Sequence, residues 1–392
     1  MKGSNLLRIA AGFSLALAAI GTMPAALGSP AVTFKTLPAY LDGGNGGPGP
    51  EETSTVVGDF NGDGIPDIAM CDGLFYGVGF YVLLGNGDGT FRKLPETVVN
   101  FEVGTLAVGD FNGDGKADLL ALNDGVVYVL LGNGDGTFTQ KASYIVPELQ
   151  QDNVVVNDLN HDGKLDMAIL THAGVYTLLG NGDGTFKYPG LLSTQLVFGG
   201  SGLALANLNN DGNADLAASD AITQQIYLLT GNGDGTFTYQ SSLSTSFVPG
   251  TVLAGDLNGD GIDDIVSSNE ADPASSSLQV NLSDGKGGWS KVSTYAGGLG
   301  PVSGTLADLN GDGKLDIISS ATLSNQEVVL LNNGDGSFGA PLYLSTFPAA
   351  GAPQTPVVAD FNRDGKPDIA VGGVYLEVAG LTSLAVFLNT GP

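Results

Sequence analysis

Short apolar runs alternate along most of the chain with stretches rich in glycine, aspartate and asparagine, and one segment shows the unit clearly. Thr105-Leu-Ala-Val108 reads as a first strand (a), Asp118-Leu-Leu-Ala-Leu122 as a second (b) and Val127-Tyr-Val-Leu-Leu131 as a third (c), while a fourth (d) starts at Thr137-Phe138. Between c and d lies Gly-Asn-Gly-Asp-Gly, whose Asn-Gly and Asp-Gly pairs accept the positive φ of a tight hairpin. Between a and b lies D-x-N-x-D-G-x-x-D. This polar string occurs seven times with one substitution, at Asp59, Asp110, Asp158, Asn207, Asp256, Asp308 and Asp360, in steps of 51, 48, 49, 49, 52 and 52 residues. A period near fifty with four short strands per repeat predicts a radial array of small sheets. The fold class is therefore all-β: a seven-bladed β-propeller of four-stranded antiparallel blades.

The pattern also predicts how the ring closes. The seventh repeat stops after strand c, at Val386-Phe-Leu-Asn-Thr-Gly391, whereas Val32-Thr-Phe34-Lys-Thr-Leu-Pro-Ala-Tyr40 resembles the Gly-Thr-Phe start of a strand d. Pairing the two completes the last blade and removes exposed sheet edges, so a monomer is expected. Small residues precede the polar strings (Gly58, Gly109, Asn157, Ala206, Gly255, Ala307 and Ala359), as convergence of the innermost strands on an axis would require.

The polar strings carry the candidate chemistry. Oxygen side chains at positions 1, 3, 5 and 9, a backbone carbonyl at 7 and glycine at 6 match the way a short loop grips Ca²⁺. In the first copy these are Asp59, Asn61, Asp63, the carbonyl of Ile65, and Asp67. The second offers Asp110, Asn112, Asp114, Lys116 and Asp118; the third Asp158, Asn160, Asp162, Lys164 and Asp166. The fourth offers Asn207, Asn209, Asp211, Asn213 and Asp215; the fifth Asp256, Asn258, Asp260, Ile262 and Asp264. The sixth has Asp308, Asn310, Asp312, Lys314 and Asp316, and the seventh Asp360, Asn362, Asp364, Lys366 and Asp368. Up to seven ions are expected, the Asn207 site being weakest because an amide replaces its first carboxylate. Asx turns alone would explain one such loop, but they do not require aspartate at position 9. His161, at position 4 of the third loop, is expected to be solvated.

Charge and address follow. Of 41 acidic residues, 20 sit at the ligand positions, so much of the net charge of −27 reads as metal ligation, and seven Ca²⁺ would cancel 14 charges. Lys2 and Arg8, the apolar stretch from Ile9 to Ile20 and the small-x-small site Ala26-Leu-Gly28 predict a secretory signal over residues 1–28, leaving 29–392 as an exported propeller. No later stretch is long and apolar enough to span a bilayer. Cys71 is the only cysteine and reads as a buried apolar residue.

The string D-x-[DN]-x-D-G-x-x-D followed by L-x-N-G-D-G-T-F resembles the FG-GAP or VCBS repeat family, of which the propeller of integrin alpha subunits is a relative. The resemblance covers nearly all of residues 29–392 and implies that the loop joining strands a and b binds Ca²⁺ through positions 1, 3, 5 and 9. The sequence has none of the further extracellular domains of an integrin, so a heterodimeric receptor role is not implied.

If the a–b loops share a face with the c–d hairpins, the b–c and d–a segments emerge opposite. These vary, as in Asn123-Asp-Gly, Ser219–Gln225 and Ser268–Ser276, and variable loops on a rigid scaffold are where ligands bind. After the signal segment, Lys and Arg fall in the polar loops (Lys116, Lys164, Lys314, Arg363, Lys366), the outer strands (Lys35, Arg92, Lys93, Lys141, Lys187, Lys291) or a hairpin (Lys286). The variable face instead carries Asp72, Glu102, Asp124, Glu148, Asp152, Asp220, Glu270, Asp272, Glu327 and Glu377, which excludes nucleic acid. Tyr81, Tyr128, Tyr176, Tyr227 and Trp289 read as packing residues; Phe75, Tyr76, Phe198, Phe247 and Tyr375 are candidate ligand contacts. Three classes remain: a non-catalytic binding or adhesion module for neutral glycans or proteins, a polysaccharide lyase, and a structural surface or matrix component. A lyase needs a base and a cation, and His172, the one candidate base on that face, has no Lys or Arg beside it. The binding module is the expectation, with no catalytic residue.

Overall fold

The computed structural model describes residues 32–37, 40–41, 54–71, 79–99, 101, 103–123, 125–146, 153–188, 190–193, 202–269, 277–286, 288–346, 353–375 and 381–391. The expected signal segment and its cleavage site lie outside them. The described residues form strands grouped in seven antiparallel sheets, with no helix among them and hence none long and apolar enough to cross a membrane.

Each sheet is one repeat. In blade 2 the strands are Thr105–Gly109, Asp118–Asn123, Val126–Gly132 and Phe138–Ile145, in that spatial order. Strand b is buried along its length in every blade where it is fully described, except for the half-buried Asn123 at its end in blade 2, as a strand with a blade packed on each face must be. Strand d is exposed over much of its length, which places it on the outer rim.

Blade 7 is completed as the sequence predicts. Phe34–Thr36 pairs antiparallel with Leu381–Asn389, and Phe34 faces Asn389 as Phe138 faces Gly132 in blade 2. The Thr390 N–H donates to the Thr33 carbonyl at 2.7 Å, where blade 2 has Asn133 N–H to the Thr137 carbonyl at 2.9 Å. The hairpin geometry is thus reproduced across two distant chain segments. Tyr40–Leu41 adds a second short pairing to the same strand.

Neighbouring blades are stitched by a repeated hydrogen bond. A hairpin glycine N–H of one blade reaches the carbonyl at loop position 2 of the blade before it: Gly136 to Phe60, Gly184 to Phe111, Gly235 to Leu159 and Gly336 to Leu257, at 2.9–3.2 Å. Gly89 of blade 1 makes the same bond to Phe361 of blade 7 at 3.0 Å, so the ring is closed. The small residues before the loops have a local reason as well as convergence. A Cβ on Gly109 would stand 2.7 Å from Leu165 of the next blade, and one on Gly255 the same distance from Leu315.

Candidate functional site

All seven polar loops are described, and they share one fold. In the first, Asp59 Oδ1 accepts the N–H groups of Gly62 (2.7 Å) and Asp63 (3.1 Å), and its Oδ2 accepts that of Gly64 (2.9 Å). Asn61 Oδ1 accepts from Asp63 N–H and Asp63 Oδ1 from Ile65 N–H, both at 2.8 Å. The side chains at 1, 3 and 5 therefore build nested Asx turns. The chain can curl this tightly because position 6 has φ between 77° and 92° in every loop. Position 4 is also left-handed, a demand the sequence does not advertise: it is glycine in four loops but His161, Asn210 and Arg363 in the others, with φ near 60°.

Position 9 does something the sequence reading missed. In all seven loops its carboxylate is wholly buried and accepts two backbone N–H groups at 2.7–3.0 Å, one from loop position 2 and one from the end of strand c. For Asp67 the donors are Phe60 and Gly85; for Asp368 they are Phe361 and Asn389. The bonds clamp the a–b loop to the c–d hairpin, which puts both on one face as expected. They also give aspartate at position 9 a structural reason, so its recurrence does not by itself demand a metal. Burial, opposed by the two N–H donors and reinforced by the carboxylates at positions 5 and 1, pushes these groups up to about 6 at Asp67, Asp118 and Asp166 and about 7 at Asp316 and Asp368.

The donor chemistry suits a hard cation, with three carboxylates and an amide in six loops, two of each in the fourth, and a second lone pair left on each oxygen that accepts one N–H. In this arrangement, however, no three Asp, Glu, His or Cys side chains among the described residues form a compact metal-binding group. The lysines at position 7 lie near the position-5 carboxylates: Lys116–Asp114 (3.8 Å), Lys164–Asp162 (3.4 Å) and Lys314–Asp312 (3.5 Å), exposed or partly exposed pairs of small energetic weight. Lys366 instead donates to the Gly391 carbonyl.

The fourth loop differs from the rest. Asn207 Oδ1 accepts only from Asn210, while its Nδ2 donates to the Gly261 carbonyl of blade 5 at 3.1 Å. Its N–H donates to Asp263 Oδ2 at 2.8 Å, and the Asp263 N–H returns a bond to the Asn207 carbonyl at 2.9 Å. Asp263 is the only acid at position 8 in any loop, a signal visible in the sequence. His161 is not simply solvated either. Its Nε2 lies 2.9 Å from Asn213 Oδ1 of the next blade.

The opposite face is only partly described. Asp72, Glu102, Asp124, Glu148, Asp152, Glu270, Asp272 and Glu377 lie outside the described residues, as do Phe75, Tyr76 and Phe198. The two expected surface acids that are described are not on the surface. Asp220 ends strand b of blade 4, buried, and accepts from Ile222 N–H and Thr223 Oγ. Glu327 lies within strand c of blade 6 (Gln326–Leu330), also buried. Both lie inside because strands b and c run further toward this face than their apolar residues suggest. Phe247 is half-buried. His172 sits in the turn after Thr171 and makes no hydrogen bond or ion pair among the described residues. The packing aromatics behave as expected: Lys93 Nζ lies 3.5 Å over the Tyr81 ring, Phe101 stacks on Tyr128, and Tyr176 accepts the Gly190 N–H. Exposed tyrosines occur instead on or beside the outer strands, at Tyr188, Tyr239 and Tyr343. Cys71 is buried, with Sγ 3.6 Å from the Gly104 carbonyl.

Comparisons with known proteins agree with this architecture. The profile described as an FG-GAP-like repeat matches six overlapping segments, 59–121, 110–169, 158–218, 208–267, 256–319 and 308–371. No curated protein matches the chain. Among solved structures, a lectin of Agrocybe aegerita, solved for its specific recognition of non-reducing terminal N-acetylglucosamine, is similar at 21% identity and a TM-score of 0.56, with 86% of each chain covered. BBS1N, solved in complex with ARL6DN, is similar at 10% identity and a TM-score of 0.60, over 90% of this chain and 96% of that one. At these identities the likeness is one of fold.

Proposed function

The chain belongs to the FG-GAP-like repeat family, and from that premise we propose that it is an exported, calcium-binding propeller that holds neutral glycans or proteins without catalysis. The observation that carries the reading is the contrast between its faces. One is fixed by seven copies of the same clamped loop; the other, with the rim, varies from blade to blade. A rigid ring presenting variable segments suits recognition, and the lectin among its structural neighbours supports a glycan as one class of ligand.

In this reading Asp or Asn at position 1, Asn at 3, Asp at 5, the carbonyl at 7 and Asp at 9 hold Ca²⁺, which would offset the mutual repulsion of each loop's carboxylates. The position-9 carboxylate holds the loop on the hairpin with or without the ion. Tyr188, Tyr239 and Tyr343 offer apolar ring faces of the kind that stack on sugars. No charged base-and-cation pair stands beside His172 among the described residues, and it is given no catalytic role.

The test has two arms. Ions that bind only the native state add RT ln(1 + [L]/Kd) each, so excess chelator at constant ionic strength should lower the melting temperature markedly; an unchanged melt removes calcium from the proposal. A glycan and protein array probed with the calcium-loaded chain should give hits among neutral glycans or proteins. Binding confined to acidic glycans, with an unsaturated product, would replace the binding module with a lyase.

A further inference from the structure

Glu327 is the least explained charged residue of the described ring. It lies in strand c of blade 6, with none of its surface exposed. Its carboxyl accepts only from the Ser320 hydroxyl, which stands 2.8 Å from Oε1 and 3.0 Å from Oε2. Ser320 is its partner across the strand b–c ladder, and Leu344 of strand d faces it on the other side. The same side of the sheet carries Ile318, Val329 and Leu344, which pack in one cluster with Val358, Val371 and Phe387 of blade 7. Glu327 thus sits beside an apolar cluster, at a junction whose other polar side chains on this side of the sheet are the hydroxyls of Ser303, Thr305 and Ser320, next to the blade that the N-terminal strand completes.

Among the described residues, nothing that packs there neutralises it. The N-terminal strand (Phe34–Thr36), whose Phe34 joins the cluster, carries Lys35, but Lys35 pairs with Leu388 on the other side of the sheet. Strand a of blade 6 (Pro301–Ala307), strand a of blade 7 (Pro353–Ala359) and strand c of blade 7 (Leu381–Asn389) contain no titratable residue. Strand b of blade 6 (Asp316–Ala321) contributes only Asp316, four residues from Ser320 and so about 13 Å along the strand at ~3.3 Å per residue. Strand d of blade 6 (Leu342–Ser345) has Tyr343, half exposed and paired with Val328, hence on the other side of the sheet. Strand b of blade 7 (Asp368–Tyr375) has Asp368 at the loop end and Tyr375 at its last position. Apart from Lys35, none of these strands carries Lys, Arg or His. An ionised carboxylate here would have one hydroxyl in place of its hydration shell, which a protonated carboxyl avoids.

We propose that Glu327 is a proton-gated latch between blades 6 and 7: protonated, it packs as a neutral side chain, and its ionisation loosens that junction. Burial, only partly opposed by the Ser320 hydrogen bond, pushes the carboxyl up to about 8. The sign follows by linkage. The folded-state value lies above that of the unfolded chain, so the folded state binds the extra proton, and stability is full below the unfolded value near 4.5 and is lost as pH rises toward 8.

The experiment compares melting temperatures of the full chain and Glu327→Gln from pH 5 to 9, with calcium and ionic strength fixed. Every loop carboxylate is common to both proteins and cancels in the difference. The two should melt together near pH 5; the variant should then gain, by a few degrees at pH 8, and the gap should level off above that. Hydrogen exchange corrected for its intrinsic pH dependence should show strands 326–330 and 381–389 losing protection above pH 8 in the parent only. A gap that is the same at every pH, or protection that falls equally in both, overturns the latch. If Glu327→Gln does not fold, Ser320→Ala serves: loss of the one donor should move the levelling point to higher pH, and an unmoved profile overturns the proposal.

Discussion

Blades 1–3 and blades 4–6 are built on one plan and filled with different material. Strand b buries Met70 and Cys71, Ala121 and Leu122, Ile169 and Leu170 in the first group. At the same two positions the second group buries Ala218 and Ser219, Ser267 and Ser268, Ser319 and Ser320, and strand c adds Gln279, Asn281 and Glu327. The cores differ accordingly. One large apolar cluster takes in the blade 7–1 and blade 2–3 junctions, from Leu388 to Phe186, and a second fills the blade 1–2 junction around Phe60 and Phe80, whereas from blade 3 round to blade 7 each junction has a separate, smaller cluster. The difference teaches that the propeller's geometry does not depend on an apolar interior at each junction. What the two groups share is the backbone ladder, the clamped loop and the hairpin stitch; those set the shape, and side-chain filling sets how firmly each junction is held.

The comparison can be broken most forcefully on the apolar side. Phe361, wholly buried, packs edge-on against Phe91 across the blade 7–1 junction with ring centroids 5.4 Å apart. Phe361→Ala should cost about 3–5 kcal/mol in denaturant unfolding, the range for a truncated buried aromatic. A loss below ~1 kcal/mol would mean that the large cluster is no firmer than the smaller ones. The shared clamp gives the next largest effect. Asp118→Ala leaves the buried N–H groups of Phe111 and Gly132 without an acceptor, at a cost of about 2–4 kcal/mol. Asp264→Ala, on the polar side, should cost the same, and both losses should persist in excess chelator. If they vanish there, the position-9 carboxylates act through bound metal rather than through the clamp. The smallest effect has the opposite sign. Ser267 Oγ, buried in blade 5, has no hydrogen-bond partner among the described residues, so Ser267→Ala should stabilise by up to ~1 kcal/mol. A destabilised variant would show that the hydroxyl is satisfied in solution.

Most of the architecture was legible because it is repeated. A period read seven times fixes the strand order, the hairpins and the blade count, and the Phe34 register could be foreseen because it copies Phe138. What escaped were features set between repeats. That position 9 serves two N–H donors depends on where strand c ends beside the loop, which spacing along one strand does not disclose. The Asn207–Asp263 clasp joins residues 56 apart; its only trace in the sequence is two exceptions to the pattern, one in each of two successive loops. In the sequence Glu327 reads as a surface acid because charge usually marks solvent, and only its pairing with Ser320 and Leu344 shows it inside the sheet.

The strand Phe34–Thr36 has a consequence in time. Its partner ends at Asn389, and Thr33 meets Thr390 across 357 residues. During synthesis the first strand of the ring therefore emerges long before the strand it must pair with exists. Blades 1 to 6 can each form from contiguous chain, but blade 7 waits for both ends, and the search that unites them carries the greatest loop-closure entropy of any pairing in the molecule. The first strand made is the last one placed.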